Sequence, residues 1–291
     1  MAKEIHSCLF DPELKGSVIN TTEVPVAGRV NAAIAAPLLL DTVNVCIGQN
    51  EKGTKEVDGS GTVKSLGKTK QIIYRICSRS SKEDSSSLSL HPFVYFYSDS
   101  GNHLPSAFQA VVRLMHQMEM ENKFVQFSVV RRHFEEFLIA HKDYIQQVHR
   151  NARGQMKGVD AIKEYFLFLI NQLTVFQGDD PIPYLIEKLK KSDLSYLKLP
   201  TEAKNASKKH TFPPSIKNAA FIAQKLKEAT PCRICKARMP DYGMSHDHIE
   251  KSELGGPSTL ANHGFAHRFC NTAREEILAA MEKHARKAVA R

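Results

Sequence analysis

"SHDHIEKSELGGPSTLANHGFAHRFCN", residues 245–271, holds four histidines, two asparagines, an aspartate and a cysteine around a Gly-Gly step. Imidazoles and amides make poor core material, because each buried polar group needs its own partner. So many nitrogen and oxygen donors in so short a stretch read first as metal chemistry.

Outward from that stretch, Cys232-Arg-Ile-Cys235 precedes it and His267-Arg-Phe-Cys270 closes it. The two-residue spacing lets both side chains of each pair reach one tetrahedral ion. Thiolate and imidazole donors in this arrangement suit structural Zn²⁺ in a closed Cys3His site. The plainer alternative is two unrelated pairs. A zinc ion here would staple a small lobe with little core of its own. The remaining donors are His246-Asp247-His248, Asn262 and Asn271. They include no thiolate and suit a hard ion with open positions. On a strand Asp247 and His248 point to opposite faces, so one can hold Mg²⁺ while the other activates a nucleophile.

Taken together, "DHI…GG…N…H..CN" resembles the HNH motif of the ββα-metal endonucleases, over roughly residues 230–275. The resemblance implies a strand carrying the Asp-His pair, a loop carrying the central Asn, and a helix opening on the last motif residue. It implies His248 as the general base toward water, with Asp247 and Asn271 holding a catalytic Mg²⁺ or Mn²⁺. Asn262 would fasten the loop and orient His248 by hydrogen bonding. The family's optional zinc-ribbon pairs match Cys232/Cys235 and His267/Cys270, with His267 standing where a cysteine is commoner. The implied substrate is DNA. RNA cleavage by a toxin nuclease and a non-catalytic, zinc-stapled nucleic-acid-binding protein are the competing readings. Arg233, Lys236, Arg238, Lys251, Arg268 and Arg274 flank the motif as candidates for tracking phosphates; a solvated basic surface is the bland reading of each.

Charge agrees with a polyanionic partner. The chain of 291 residues carries +9, and residues 201–291 hold 16 Lys/Arg against 9 Asp/Glu. No apolar run is long enough to span a bilayer, and the first residues do not read as a secretory signal, so the expectation is a cytoplasmic protein without a membrane partner. In a reducing compartment the scattered Cys8, Cys46 and Cys77 read as buried thiols.

The rest of the chain predicts an α+β protein. Residues 43–48, 70–78 and 88–98 are β-branched and aromatic runs that read as strands. Residues 49–70 read as turn-rich and 78–89 as a polar loop. From about 105 to 191 the period becomes helical, with Phe108, Val111, Val112, Met115 and Met118 on one face and Val130, Phe134, Phe137, Leu138, His141 and Ile145 on another. Two further helices are predicted near 159–175 and 181–191. The predicted organisation is a mixed recognition or regulatory domain over 1–200, a linker over 201–215, and a small HNH domain over 216–291. Residues 89–112 and 131–145 are similar to a region of ParB-like restriction and defence nucleases, with "VDGSGTV" (57–63) a remnant of such a domain's motif. By analogy this implies a restriction or anti-phage role, with a partner protein or a second copy as a gating element.

Overall fold

The structure, a computed structural model, describes residues 40–46, 59–77, 86–178, 180–198 and 211–289. After a helical stretch at 40–46 come α1 (Ser60–Cys77), the single turn α2 (Pro92–Tyr95), α3 (Pro105–Met120), α4 (Phe124–Ala140) and α5 (Asp143–Asn151). They are followed by α6 (Gln155–Val175), α7 (Pro181–Lys190) and α8 (Pro214–Glu228). The two-stranded ribbon β1 (Met244–His248) and β2 (His263–His267) then leads into α9 (Arg268–Thr272) and α10 (Arg274–Val289). No described helix is long and apolar enough to cross a membrane.

Local chemistry sets the helix ends. Pro105 opens α3, where its fixed φ and missing N–H cost nothing. Asn122 at φ 52° turns the chain between α3 and α4, a conformation asparagine tolerates. Asp180 caps α7 by accepting from Ile182 N at 3.1 Å. Phe108, Val111, Val112, Met115 and Met118 are all buried along α3, as their spacing requires.

The three predicted N-terminal strands are corrected. Residues 43–46 are helical, and 47–48 lie outside the described residues. Residues 70–77 belong to α1, where Thr69, Ile72, Ile73 and Ile76 are buried at helical spacing. That period outweighs the strand preference of the isoleucines. The stretch read as turn-rich likewise contributes its last eleven residues, 60–70, to α1. Of the polar loop at 78–89, residues 78–85 lie outside the described residues.

Residues 88–98 form no strand. Pro92 starts one helical turn there, and the only ladder contact is a Tyr97–His103 bridge. Every side chain from Ser87 to Ser98 is buried. This segment is the centre of the molecule rather than one face of a sheet. Phe93 packs edge-on against Phe221 of α8, Tyr95 against Phe134 of α4, and Phe96 edge-on against Phe108 of α3. Because both faces are covered by helices, the alternation of Phe93, Tyr95 and Tyr97 with Val94 and Phe96 carries no inside–outside information.

Under this segment lies a fully buried ion pair on α4. Arg131 Nε donates to Glu135 Oε1 at 2.7 Å, and its other nitrogens reach the carbonyls of Leu88 and Ser89 at 2.6 and 3.3 Å. Tyr95 Oη donates to Glu135 Oε1 at 2.8 Å, and Arg238 N donates to Oε2 at 2.9 Å. One carboxylate thus ties α4, the central segment and the C-terminal lobe together. Glu135→Leu leaves a buried guanidinium without its counter-ion, so a loss of about 3–5 kcal/mol is expected in urea unfolding. The double variant Arg131→Met, Glu135→Leu is expected to recover much of that loss.

Acid is expected to weaken the fold through two histidines in the same core. Burial lowers His103 to about 4, and burial together with the nearby Lys142 charge lowers His91 to about 3. Both rings stay neutral in the folded chain while the unfolded chain takes up protons near 6.5. Their contribution is therefore complete above about pH 6.5 and is lost as pH falls toward 4, by up to about 1.4 kcal/mol per pH unit for each ring. Unfolding free energies across that window, with His103→Leu flattening the slope, check this. Cys46, one of the predicted buried thiols, is fully buried, and burial pushes it up to about 12.

Candidate functional site

Cys232-Arg-Ile-Cys235 forms a tight turn. Cys232 N donates to Ala237 O, Lys236 N donates to Cys232 O, and Lys236 takes φ 62° to complete it. Across from the turn, β2 ends at His267 and α9 begins, bringing Cys270 one helical turn behind the histidine. The ligand atoms of Cys232, Cys235, His267 and Cys270 all lie within 4.8 Å of one another, and all four residues are buried. His267 Nδ1 faces the sulfurs, 3.3 Å from Cys235 Sγ and 3.7 Å from Cys270 Sγ. Its Nε2 sits 3.3 Å from Arg238 O, which selects the tautomer with Nδ1 free to ligate. This donor set can hold a metal ion such as zinc.

Charge in the cluster is uneven. Hydrogen bonds from Cys235 and Cys270 hold the Cys232 thiol far below its ordinary value. Burial raises Cys235, and the hydrogen bond with Cys232 raises Cys270. A bound cation would favour the deprotonated thiolates.

Besides the packing of α10 on α4, three contacts anchor the lobe on the helical body. One is the Glu135 bond to Arg238 N. Another is Phe269 N donating to Ser87 O at 2.9 Å, and the third is Phe124 edge-on to Phe269 at 5.7 Å. In contrast, α8 buries Phe221, Ile222 and Leu226 in the helical core.

The oxygen and nitrogen donors gather on the ribbon. Asp247 lies opposite Gly264 and His248 opposite His263 in the β1–β2 register. Their side chains therefore leave on opposite faces. Asp247 is 7% exposed and ion-paired with Arg233, whose stem crosses β2 at Gly264; a Cβ there would meet Arg233 Cδ at 2.6 Å. Arg274 approaches the other carboxylate oxygen at 3.7 Å and donates to the carbonyls of His248 and Ile249. Asn271, on α9, donates from Nδ2 to His246 O at 3.2 Å and approaches Ser245 Oγ at 3.5 Å. Its amide oxygen makes neither bond, and with the Asp247 carboxylate it offers two oxygen donors of the kind a hard divalent ion accepts.

His246, His248, Ser258, Asn262 and His263, together with Asp247, line an open pocket of ≈ 340 Å³. His246 Nδ1 and His263 Nε2 are 2.6 Å apart, and His248 Nε2 is 3.1 Å from Ser258 Oγ. Asn262 fastens the loop: Nδ2 donates to Glu250 O and Pro257 O, and Oδ1 accepts from Glu250 N. Its side-chain hydrogen bonds run to the backbone of the loop, while the ring of His248 meets Ser258 Oγ. The Gly-Gly step is explained by the same loop. Gly255 takes φ 89°, and a Cβ on Gly256 would meet Glu250 O at 2.1 Å.

No protein-family model, curated protein or solved structure matches this chain.

Of the six basic candidates, Arg233 and Arg274 turn inward to Asp247. Their guanidinium groups neutralise a nearly buried carboxylate. Lys251 pairs with Glu275 at 2.9 Å, and Lys236 Nζ donates to Arg233 O at 2.6 Å. Arg238 is half-buried at the lobe's base, and Arg268 is half-buried at the start of α9. Lys283 and Arg286 stand exposed on α10; the Lys287 side chain and Arg291 lie outside the described residues.

Sequence reasoning missed Ser258, Gly264 and the Arg131–Glu135 pair. "GPST" signals only a turn, a single glycine in a strand is weak punctuation, and an Arg–Glu pair four apart reads as a solvated helix face.

Proposed function

We propose that this chain is a metal-dependent endonuclease of the HNH type, hydrolysing phosphodiester bonds of DNA. The supporting observation is the geometry of β1, β2 and α9. A strand sets Asp247 and His248 on opposite faces, the next strand leads directly into the helix bearing Asn271, and His248 lines an open pocket. A binding module needs neither a histidine in such a pocket nor the oxygen donors of Asp247 and Asn271.

His248 acts as the base, its imidazole taking a proton from the attacking water. Asp247 and Asn271 would hold a Mg²⁺ or Mn²⁺ ion, which when bound offsets the negative charge developing on the phosphate oxygens. Arg233 and Arg274 hold the Asp247 carboxylate in place. Cys232, Cys235, His267 and Cys270 would hold a zinc ion that fixes the junction of β2 and α9, and so the placing of Asn271 relative to Asp247. A defence setting for such an enzyme, with the helical body as the sensing part, rests on the likeness of residues 89–112 and 131–145 to defence nucleases.

The test is cleavage of supercoiled plasmid by the full chain with Mg²⁺ or Mn²⁺. Nicking or linearisation that a chelator stops, and that His248→Ala abolishes with the zinc retained, is the expected result. Failure to cut plasmid or single-stranded DNA with either ion would sink the reading. Cleavage of RNA alone would redirect it to an RNA-cleaving toxin.

A further inference from the structure

The motif resemblance gives the task of orienting His248 to Asn262, and the loop geometry assigns that task elsewhere. Asn262 donates both amide hydrogens to backbone, to Glu250 O and Pro257 O at 2.9 Å each, and accepts from Glu250 N at 2.6 Å. It staples the two ends of the loop that carries the Gly-Gly step. The carbonyl it holds belongs to Pro257, the residue before Ser258. Thr259 N donates to that same carbonyl at 3.0 Å, and Asn262 N donates to Thr259 O at 3.1 Å. The backbone on both sides of Ser258 is therefore fixed, while its side chain stands free to reach the pocket. Ser258 Oγ meets His248 Nε2 at 3.1 Å.

We infer that Ser258 is the positioning residue of this site. Its hydroxyl accepts from His248 Nε2–H, holding the ring in one orientation and one tautomer, with the Nδ1 lone pair left to take the proton from water. Asn262 acts one step further back, by holding the loop that presents Ser258. The chemistry supports this division. Ser258 Oγ stands within hydrogen-bond distance of His248 Nε2 and can accept from it, whereas the side-chain hydrogen bonds of Asn262 all run to backbone. The tautomer matters because a base presents an unprotonated nitrogen, and that nitrogen is selected by the bond the other one makes. Nothing in "GPSTLAN" separates Ser258 from Thr259 in this role; only the folded loop does.

The inference rests on the endonuclease reading for its catalytic meaning, so its test has one readout that needs no activity. Ser258 is exposed, and Ser258→Ala is expected to keep the fold and the zinc content. Histidine ¹⁵N NMR of the full chain at about pH 8, above the ring's ordinary titration, with His248 assigned by its loss in His248→Ala, should show predominantly the Nε2–H form in the parent. It should show a mixture in Ser258→Ala and the parent pattern again in Ser258→Thr. In plasmid cleavage kcat should fall about 10-fold in Ser258→Ala with KM unchanged, as for one lost partly exposed hydrogen bond, and Ser258→Thr should recover it. A parent spectrum dominated by Nδ1–H, or a Ser258→Ala protein with both tautomer and kcat unchanged, overturns the inference. If the parent cuts nothing yet its tautomer follows Ser258, the positioning contact stands and the endonuclease reading falls.

Discussion

Cys235→Ser, or removal of the bound ion by a strong chelator, is expected to unfold the lobe from about residue 230 onward while α3 to α7 keep their helical signal. The reason is the makeup of the lobe's core. Its buried apolar set is Cys232, Ile234, Cys235, Ala237, Met239, Ala266, Cys270 and Ile277, and three of these eight are the proposed ligands. Without the ligands the core keeps five small or mid-sized buried residues and a partly buried rim that includes Met244, Phe265, Phe269 and Met281, little to set against the chain entropy of two short strands and their loop. Metal binding of this type carries about 10–16 kcal/mol in isolated zinc-binding peptides, more than the rest of the lobe can supply. The anchors at Glu135, Ser87 and Phe124 restrain its base, so the body should stay folded. The expected readouts are one zinc per chain in the purified protein, protease cuts confined to the C-terminal lobe after chelation, and recovery on adding zinc back. A chain that binds no zinc, or a lobe that resists protease without it, would remove the metal from the account of this fold.

The second large effect concerns the ribbon. His248→Ala is expected to lower kcat by about 10²- to 10⁴-fold, the usual worth of a positioned general base. Its Mg²⁺ dependence should be unchanged, because His248 and Asp247 leave the strand on opposite faces. Asp247→Ala should instead raise the metal concentration needed for half-maximal cleavage, because it removes the charged one of the two oxygen donors, Asp247 and Asn271. It also leaves Arg233 and Arg274 without their carboxylate partner, so a modest stability loss should accompany it. Combining the two substitutions should cost far less than the product of the single effects, since base and ion serve one step. Equal effects of the two variants on metal dependence would mean that His248 is itself a ligand, and the roles assigned here would need exchanging.

Legibility differed along the chain for physical reasons. The Cys3His cluster was readable because metal ligation demands residue types and spacings that little else produces, and the four side chains meet in one buried place. The helices from 105 to 190 were readable because each buries one face, so the 3.6-residue period survives in Phe108, Val111, Val112 and Met115. The central segment was misread for the opposite reason. Residues 87–98 are buried on every side, and period carries nothing where no face meets water. In α1 the isoleucines drew a strand reading, although Thr69, Ile72, Ile73 and Ile76 already had helical spacing; packing against α3 overrode strand preference.

Inside the candidate site the division is sharper still. Sequence by itself determined which chemistry is present: three thiols and an imidazole at metal-binding spacing, and an aspartate–histidine pair with two asparagines downstream. Only the tertiary structure decided what each group touches. It turned Arg233 across Gly264 onto Asp247, committed Asn262 to backbone, and brought Ser258 to His248. It also set Arg131 and Glu135 beneath the lobe, where they hold Arg238 and through it the His267 ring. These are contacts between residues up to about a hundred positions apart, or between side chains whose direction depends on a loop's closure. Neighbouring residues in the chain do not encode such directions; they arise when loop, ribbon and helix are packed into one place, and polar groups with nowhere else to go find each other.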